Sequence, residues 1–330
     1  MKKFTLSALF IVGITLLACS QEKASKQPID SFLKPLPILK SHRFLISMHG
    51  GSTYGLASTF KFFPDDIRYI SVVKTAPGRP QTNTVYQTPW KGLGDGFKVG
   101  GGLTYVLSDF INIGVDVDYF KTSLKKTRDS SYYELLATSA PGGPNEYNYN
   151  ERKTVNYEEK LVTITPVITF KAFSRPKWFL YSKLGGIITL TPGNSQTETS
   201  DISSRRGRQG ATTDSSALVV KKYSWSIKSP ALGFLSSIGI QVKVAGRLKA
   251  YTEFQFSHIV LVAKSRSMEA YTVNNRDMLN TLPVSARELK FSNIVSASSG
   301  TNTTDQPSQA LIPRMPVTNL GVQLGLAFQL

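Results

Sequence analysis

Hydrophobic and polar residues alternate strictly in residues 318–330. One face of an extended chain there would carry only apolar residues, namely Leu320, Val322, Leu324, Leu326, Phe328 and Leu330. The opposite face would carry Asn319, Gly321, Gln323, Gly325, Ala327 and Gln329. Because successive side chains of a β-strand point to opposite faces, this pattern predicts a strand with one face in an apolar medium.

The same alternation recurs in seven segments upstream, at residues 43–54, 97–107, 110–121, 161–171, 177–190, 232–244 and 248–262. An even number of strands with one apolar face each predicts an all-β fold, an eight-stranded antiparallel up-and-down barrel. Pro166 and Pro230 would each remove a hydrogen-bond donor from a strand, so we expect a local bulge or kink at both positions.

The lengths of the connections bear on where such a barrel lies. Three connections are very short, at residues 108–109, 174–176 and 245–247, and they alternate with long stretches near 61–95, 122–156, 192–222 and 267–313. Transmembrane barrels have short periplasmic turns and long outer loops. Aromatic residues near both strand ends also fit two membrane interfaces. The alternative is a soluble eight-stranded barrel with its apolar faces inward.

The first residues of the chain predict export. Met1-Lys2-Lys3 is basic and residues 4–18 form an apolar run, as in a secretory signal peptide. The run leads into Leu17-Ala18-Cys19, which resembles a bacterial lipobox and predicts lipidation of Cys19; cleavage after Ser20 is the alternative. We therefore expect a signal peptide at 1–18, an extended periplasmic tether at 19–40 and an outer-membrane barrel at 41–330, with both termini periplasmic.

Four segments carry a family resemblance. Residues 96–121 (a glycine-rich strand, a Leu-Ser-Asp turn and a returning strand), residues 161–166 with an internal proline, residues 239–258 and residues 319–330 resemble the outer-membrane β-barrel domains of Bacteroidetes-type bacteria. The resemblance covers roughly residues 42–330, and its class is the OmpA/OmpX-like eight-stranded barrel. It implies an architecture and hardly constrains an activity. Leu330 replaces the more usual terminal aromatic residue.

Composition excludes several kinds of chemistry. The 330 residues include 39 Lys and Arg against 22 Asp and Glu, one Cys and three His. One cysteine rules out an intramolecular disulfide framework, and so few His and Cys leave little for a metal centre. The sequence has no phosphate loop or nucleotide fingerprint, so we expect no cofactor, no metal and, for an exported chain, no nucleic-acid partner.

Charged residues fall on the predicted inner faces of the strands. Eight strands leave an interior just wide enough for side chains to fill it. We expect an inward polar network that plugs the barrel, formed by Lys98, Asp116, Asp118, Lys171, Lys183, Lys243, Lys249 and Glu253. The alternative is a narrow, gated pore that prefers anions.

A lipid-modifying enzyme is the third hypothesis. Such a hydrolase needs a nucleophile, a histidine base and a carboxylate within reach of one another. The histidines available are His42, His49 and His258. The alternation places His258 on the lipid side and His49 inside, and neither has a serine and a carboxylate at hydrogen-bond spacing in the sequence. We therefore expect a non-enzymatic protein.

The predicted outer loops hold the remaining candidates. Arg205, Arg206 and Arg208 lie in one loop, which Lys221 and Lys222 close. Arginine and lysine side chains match the phosphates of lipopolysaccharide, so these residues are candidate contacts to lipopolysaccharide or another surface partner. An extracellular ligand or protein fits equally well. The function predicted from the sequence is structural or interactive, in the bacterial envelope.

Overall fold

The computed structural model describes residues 44–56, 67–74, 81–86, 92–136, 145–175, 177–190, 193–208, 211–295 and 305–330. Within this part of the chain nearly all regular structure is β-strand, which confirms the all-β prediction. The helical elements are one 3-10 turn, Leu279–Thr281, and one α-helical turn, Val284–Arg287. No helix in the described ranges has the length and apolar character needed to cross a bilayer.

Fifteen strands join in one sheet. In chain order they are β1 (Phe44–Gly55), β2 (Ile67–Lys74), β3 (Gln81–Tyr86), β4 (Gly96–Val106), β5 (Ile111–Leu136), β6 (Asn145–Ser174), β7 (Trp178–Thr189), β8 (Gly193–Arg208), β9 (Ala211–Ile227), β10 (Ala231–Ala245), β11 (Leu248–Val273), β12 (Arg276–Asp277), β13 (Glu288–Ser292), β14 (Ser308–Leu311) and β15 (Arg314–Gln329).

Antiparallel pairings close part of this sheet into a ring. The pairs are β1–β4, β4–β5, β5–β6, β6–β7, β7–β10, β10–β11, β11–β15 and β15–β1. Short connections, such as Gly246-Arg247 between β10 and β11, lie at one end of the ring, which we call the turn end. In the turn between β4 and β5 the Ser108 hydroxyl accepts hydrogen bonds from the backbone N–H groups of Phe110 and Ile111.

Several ring strands continue far beyond the opposite end. β8 follows β7 along the same edge of β6, since Thr163 pairs with Thr189 and Lys160 pairs with Gly193. β9 and β10 likewise follow one another as two parts of one long strand, with a break around Pro230. Together with the outer parts of β5, β6 and β11, strands β8 and β9 form what we call the projecting sheet.

The projecting sheet corrects the prediction that four long loops connect the strands at this end. Much of 122–156 and 192–222 lies in strands, and β5 and β6 pair over 26 consecutive positions. These stretches carry polar residues on both faces, so they lack the apolar–polar contrast by which a strand is recognised in a sequence. Cross-strand pairs with their neighbours hold them in place. Pro166 lies inside β6 without a register shift at that point, so the expected bulge is absent there, while the alternative of a kink stays a prediction.

The ring has apolar residues outside and polar residues inside. On β5 the outward Ile113, Val115 and Val117 are 42–48% exposed, whereas the inward Asp116 and Asp118 are 7% and 2% exposed. The other ring strands follow the same rule, with exposed outward Leu184, Ile238, Phe254, Val322 and Leu324. A protein whose exposed belt is apolar and whose interior is charged is inverted relative to a water-soluble one.

Candidate functional site

The interior near the turn end holds what we call the charged layer. Its centre is Glu253, which is 2% exposed and accepts contacts from Lys183 Nζ at 2.7 Å and from Tyr181 Oη at 2.7 Å. Gln255 Nε2 donates to its second oxygen at 2.7 Å, and Lys183 also lies 3.4 Å from Asp116. Every charge in this group therefore has an opposite partner, as burial requires.

A second group in the charged layer surrounds Asp118. Its carboxylate contacts His49 Nε2 at 2.5 Å and Lys98 Nζ at 3.0 Å. His49 Nδ1 lies 3.0 Å from the Tyr251 hydroxyl, and Lys98 donates to Gln255 at 3.2 Å, which joins the two groups. The layer thus holds three carboxylates and two ammonium groups, with the His49 imidazole against one of the carboxylates.

Glycines make these contacts sterically feasible. His49, Gly100 and Asp118 lie side by side on β1, β4 and β5, so the two side chains meet across a strand whose residue at that level has none. A Cβ on Gly100 would collide with Asp118 Oδ1 and lie 2.9 Å from His49 Nε2. Gly239 separates Tyr181 from Glu253 in the same way. The network thus depends on where glycines fall in the register.

Farther from the turn end the interior changes to what we call the apolar layer. Leu161, Leu261, Met315 and Val317 are 0–1% exposed and belong to one cluster of buried hydrophobic residues. This cluster closes the ring above the charged layer.

One carboxyl lies against the apolar layer. Glu159 is fully buried, and one of its oxygens accepts a hydrogen bond from Asn194 Nδ2 at 3.0 Å, while the other has no partner. Burial alone raises the pKa of Glu159 to about 8, because transfer from water penalises the ionised form. The group is therefore protonated at neutral pH.

The predicted interior residues occupy two different levels. The structure brings together Lys98, Asp116, Asp118, Lys183 and Glu253 in the charged layer. It places Lys171, Lys243 and Lys249 at the turn-end mouth, apart from that network. Lys171 Nζ lies 5.3 Å from the centre of the Phe179 ring, and Lys243 is exposed.

A small cavity separates the charged layer from this mouth. Its volume is about 50 Å³, and polar residues from several strands line it, among them Ser47, Asn112, Thr169 and Gln241. A cavity of this size holds a few water molecules and no larger substrate.

The predicted lipopolysaccharide contacts lie on β8 and β9 of the projecting sheet. Arg205 and Arg206 are neighbours in one strand, so their side chains point to opposite faces. Arg205 lies 3.6 Å from Asp214, and Lys221 lies over the Tyr271 ring. Lys222 is exposed, and Arg208 is the last residue of β8. The structure thus distributes these residues over two faces instead of gathering them in one patch.

The remaining candidates are Cys19, His42 and His258. Cys19, His42, the predicted signal peptide and the tether lie outside the described residues. His258 points outward, where its Nδ1 lies 2.8 Å from the Thr318 hydroxyl. Within the described ranges no three His, Cys, Asp or Glu residues are grouped so as to hold a metal ion.

Sequence reasoning missed the roles of His49, Tyr181 and Tyr251. The alternation pattern put His49 inside, but its carboxylate partner lies 69 positions away in the chain and two strands away in the ring. Both tyrosines face inward on strands that the pattern had identified. The signal that could have revealed these contacts was a glycine on the strand between the two partners, at the same level of the ring. That signal can be used only once the register of the strands is known.

No protein-family model matches this chain, and no curated protein matches it either. A solved structure with some likeness is an anion-selective porin from Comamonas acidovorans, which is 9% identical and has a TM-score of 0.13. The likeness covers 88% of this chain and 99% of that one. At that TM-score it carries no argument about fold or function.

Proposed function

We propose that this chain is an eight-stranded barrel of the bacterial outer membrane that acts, without enzymatic activity, through the surface it holds outside the bilayer. The observation that carries the proposal is the inverted polarity of the ring. An exposed belt of aliphatic and aromatic side chains around an interior that holds buried charges is stable in lipid and costly in water.

The height of the apolar belt supports a membrane location. On β5 the belt runs from Phe110 to Tyr119, a rise of about 30 Å along the strand and about 23 Å along the ring axis at a tilt near 40°. Outer-membrane barrels carry a band about 25 Å tall between two aromatic girdles. Exposed aromatic residues stand at both limits, with Phe110, Phe173 and Phe328 at the turn end and Tyr54, Phe97 and Tyr119 at the other.

The filled interior favours a plugged barrel over the gated pore. Ions would have to displace both the charged layer and the apolar layer, so we expect no steady conductance in a planar bilayer. Channels of nanosiemens conductance would favour the pore instead.

The same enclosure argues against the lipid-modifying enzyme. His49 has a carboxylate partner, but its neighbouring cavity of about 50 Å³ admits no lipid. His258 contacts a threonine hydroxyl, and no described carboxylate completes a triad with it. We therefore assign the functional role to the projecting sheet.

The distance of the basic residues from the ring indicates which partners the projecting sheet can meet. Arg205 stands eleven residues beyond Asn194, on the order of 35 Å along β8 from the end of the ring. Basic side chains at that height would meet the saccharide portion of lipopolysaccharide or a protein at the cell surface more readily than lipid phosphates near the bilayer.

Two measurements test the proposal. The folded protein, extracted from a washed outer-membrane fraction, should migrate faster in SDS gels before boiling than after, because a closed barrel keeps its backbone paired. Absence of that shift, with release by carbonate, would indicate a soluble barrel. The triple variant Arg205→Gln, Arg206→Gln, Arg208→Gln should retain less co-purifying lipopolysaccharide than Lys121→Gln; equal amounts in both variants would leave a protein partner.

A further inference from the structure

Three lysines project from ring strands at the turn-end mouth. Lys171 projects from β6, Lys243 from β10 and Lys249 from β11, and Lys243 and Lys249 are directly opposite in the β10–β11 register. The ammonium group of Lys249 is repelled by those of both Lys171 and Lys243. Like charges at directly opposed positions destabilise a sheet. The arrangement therefore carries a cost that a bound anion would remove.

Carboxylates do not neutralise this cluster. Among the ion pairs of the described residues, none includes Lys171, Lys243 or Lys249. Asp109 attracts Lys171 from the adjacent turn without forming an ion pair. The carboxylates of the charged layer are engaged with Lys183, Lys98 and His49, so none of them forms an ion pair with a lysine of the mouth.

The surroundings of the three lysines add positive charge and an incomplete polar lining. Arg175 and Lys177 are exposed on the rim. Asn112 lines the cavity next to the mouth and is 5% exposed, and its Oδ1 has no hydrogen-bond partner. Because an amide oxygen only accepts hydrogen bonds, this atom would reach an anion through a bridging water and not by direct contact.

We propose that this lysine mouth, defined by Lys171, Lys243 and Lys249, binds a phosphate group. Three ammonium groups carried by three different strands supply up to nine N–H donors and three charges, which suit a compact multivalent anion better than a single carboxylate. The phosphate comes either from free phosphate or from an anionic phospholipid headgroup. This site is independent of the projecting sheet and of its proposed partner.

Calorimetric titration of inorganic phosphate into the full chain, folded in a phosphate-free detergent, tests the first source. Native mass spectrometry of phosphatidylglycerol retained after reconstitution and detergent washing tests the second. The test variant is Lys171→Gln, Lys243→Gln, Lys249→Gln. The matched control is Lys160→Gln, Lys228→Gln, Lys290→Gln, which changes the net charge equally at exposed positions of the other end.

Each single mouth substitution should weaken binding about tenfold, and the triple variant should abolish it, while the control stays within about threefold of the wild type. If the wild type binds inorganic phosphate and the triple variant does not, the ligand is free phosphate. If the wild type binds no inorganic phosphate but retains phosphatidylglycerol that the triple variant loses, the ligand is a lipid headgroup. Equal binding by wild type and triple variant, or binding of neither probe by the wild type, overturns the proposal. The gel-mobility shift verifies that each variant is folded.

Discussion

The half of the ring interior nearest the turns is filled by ions and hydroxyl groups, whereas the half nearest the projecting sheet is filled by aliphatic side chains. Glu253 depends on four polar partners at defined distances, while Leu261 depends only on being surrounded. Polar burial is satisfied only when every partner is present, and apolar burial depends on volume. The same strands thus carry two kinds of core that should fail differently when altered.

The largest effect is expected in the charged layer. Glu253→Gln removes the charge that Lys183 contacts at 2.7 Å and leaves that ammonium with Asp116 at 3.4 Å. Breaking one side of a buried ion pair costs about 4 kcal/mol. Urea unfolding in lipid vesicles, followed by tryptophan fluorescence, measures this loss of unfolding free energy. Glu288→Gln, at an exposed position, is the control, and a loss below about 1 kcal/mol for Glu253→Gln would contradict a tightly coupled network.

The apolar layer should lose somewhat less. Leu261→Ala creates a cavity at a position with 0% exposure, at a cost of about 3 kcal/mol in unfolding free energy. Leu261→Met keeps the volume and should cost under about 1.5 kcal/mol in the same assay. Equal losses for the two variants would mean that shape, and not volume, controls this layer.

Gly100→Ala sharpens the comparison, because it alters the charged layer without removing a charge. The new Cβ would force Asp118 away from His49, and we expect a loss of about 2 kcal/mol. Gly186→Ala is the matched control, since its Cβ would meet no atom within 4 Å. If both alanine variants unfold at the same urea concentration, the direct contact between His49 and Asp118 across β4 does not contribute to stability.

The smallest effect, taken over a single pH unit, is a pH dependence from the carboxyl of Glu159 beside the apolar layer. Folding raises the pKa of Glu159 from 4.5 to about 8, so between those values unfolding releases a proton. The unfolding free energy should therefore fall by about 1.4 kcal/mol from pH 6 to pH 7 and level off above pH 8. Below pH 4.5 the group is protonated in both states and contributes no slope.

Glu159→Gln should remove that slope, whereas Glu158→Gln, at the neighbouring outward position, should keep it. Urea unfolding at several pH values between 5 and 9 distinguishes the two. A slope that persists in Glu159→Gln would assign the proton to another group.

The ring strands were predictable because an apolar belt and a polar interior give maximal contrast between alternate positions. In residues 110–121 the exposed Ile113 and the buried Asp116 and Asp118 follow the pattern read from the sequence. The projecting sheet gives no such contrast. Tyr149 pairs with Tyr132 and Asn150 with Ser131, which are polar positions on both faces, so the outer part of β6 resembles a loop in sequence.

The site was predictable by face but not by partner. Alternation assigned Lys98, Asp116, Asp118, Lys183 and Glu253 to the interior, whereas their pairing requires the register of strands far apart in the chain. Lys171, Lys243 and Lys249 are separated from the network by their height along the ring axis. The alternation of residues gives the face of a strand but not this height.

The uninterrupted ladder between β5 and β6 has a mechanical consequence. β6 contains 30 residues and is therefore about 100 Å long, and it runs from the tip of the projecting sheet to the turn end as one strand. A partner pulling on the tip along this direction would load the 26 paired positions together in shear, instead of peeling them one by one. The projecting sheet would then behave as a rigid element. A force applied at its tip would be transmitted to the ring before the strands of the sheet separated.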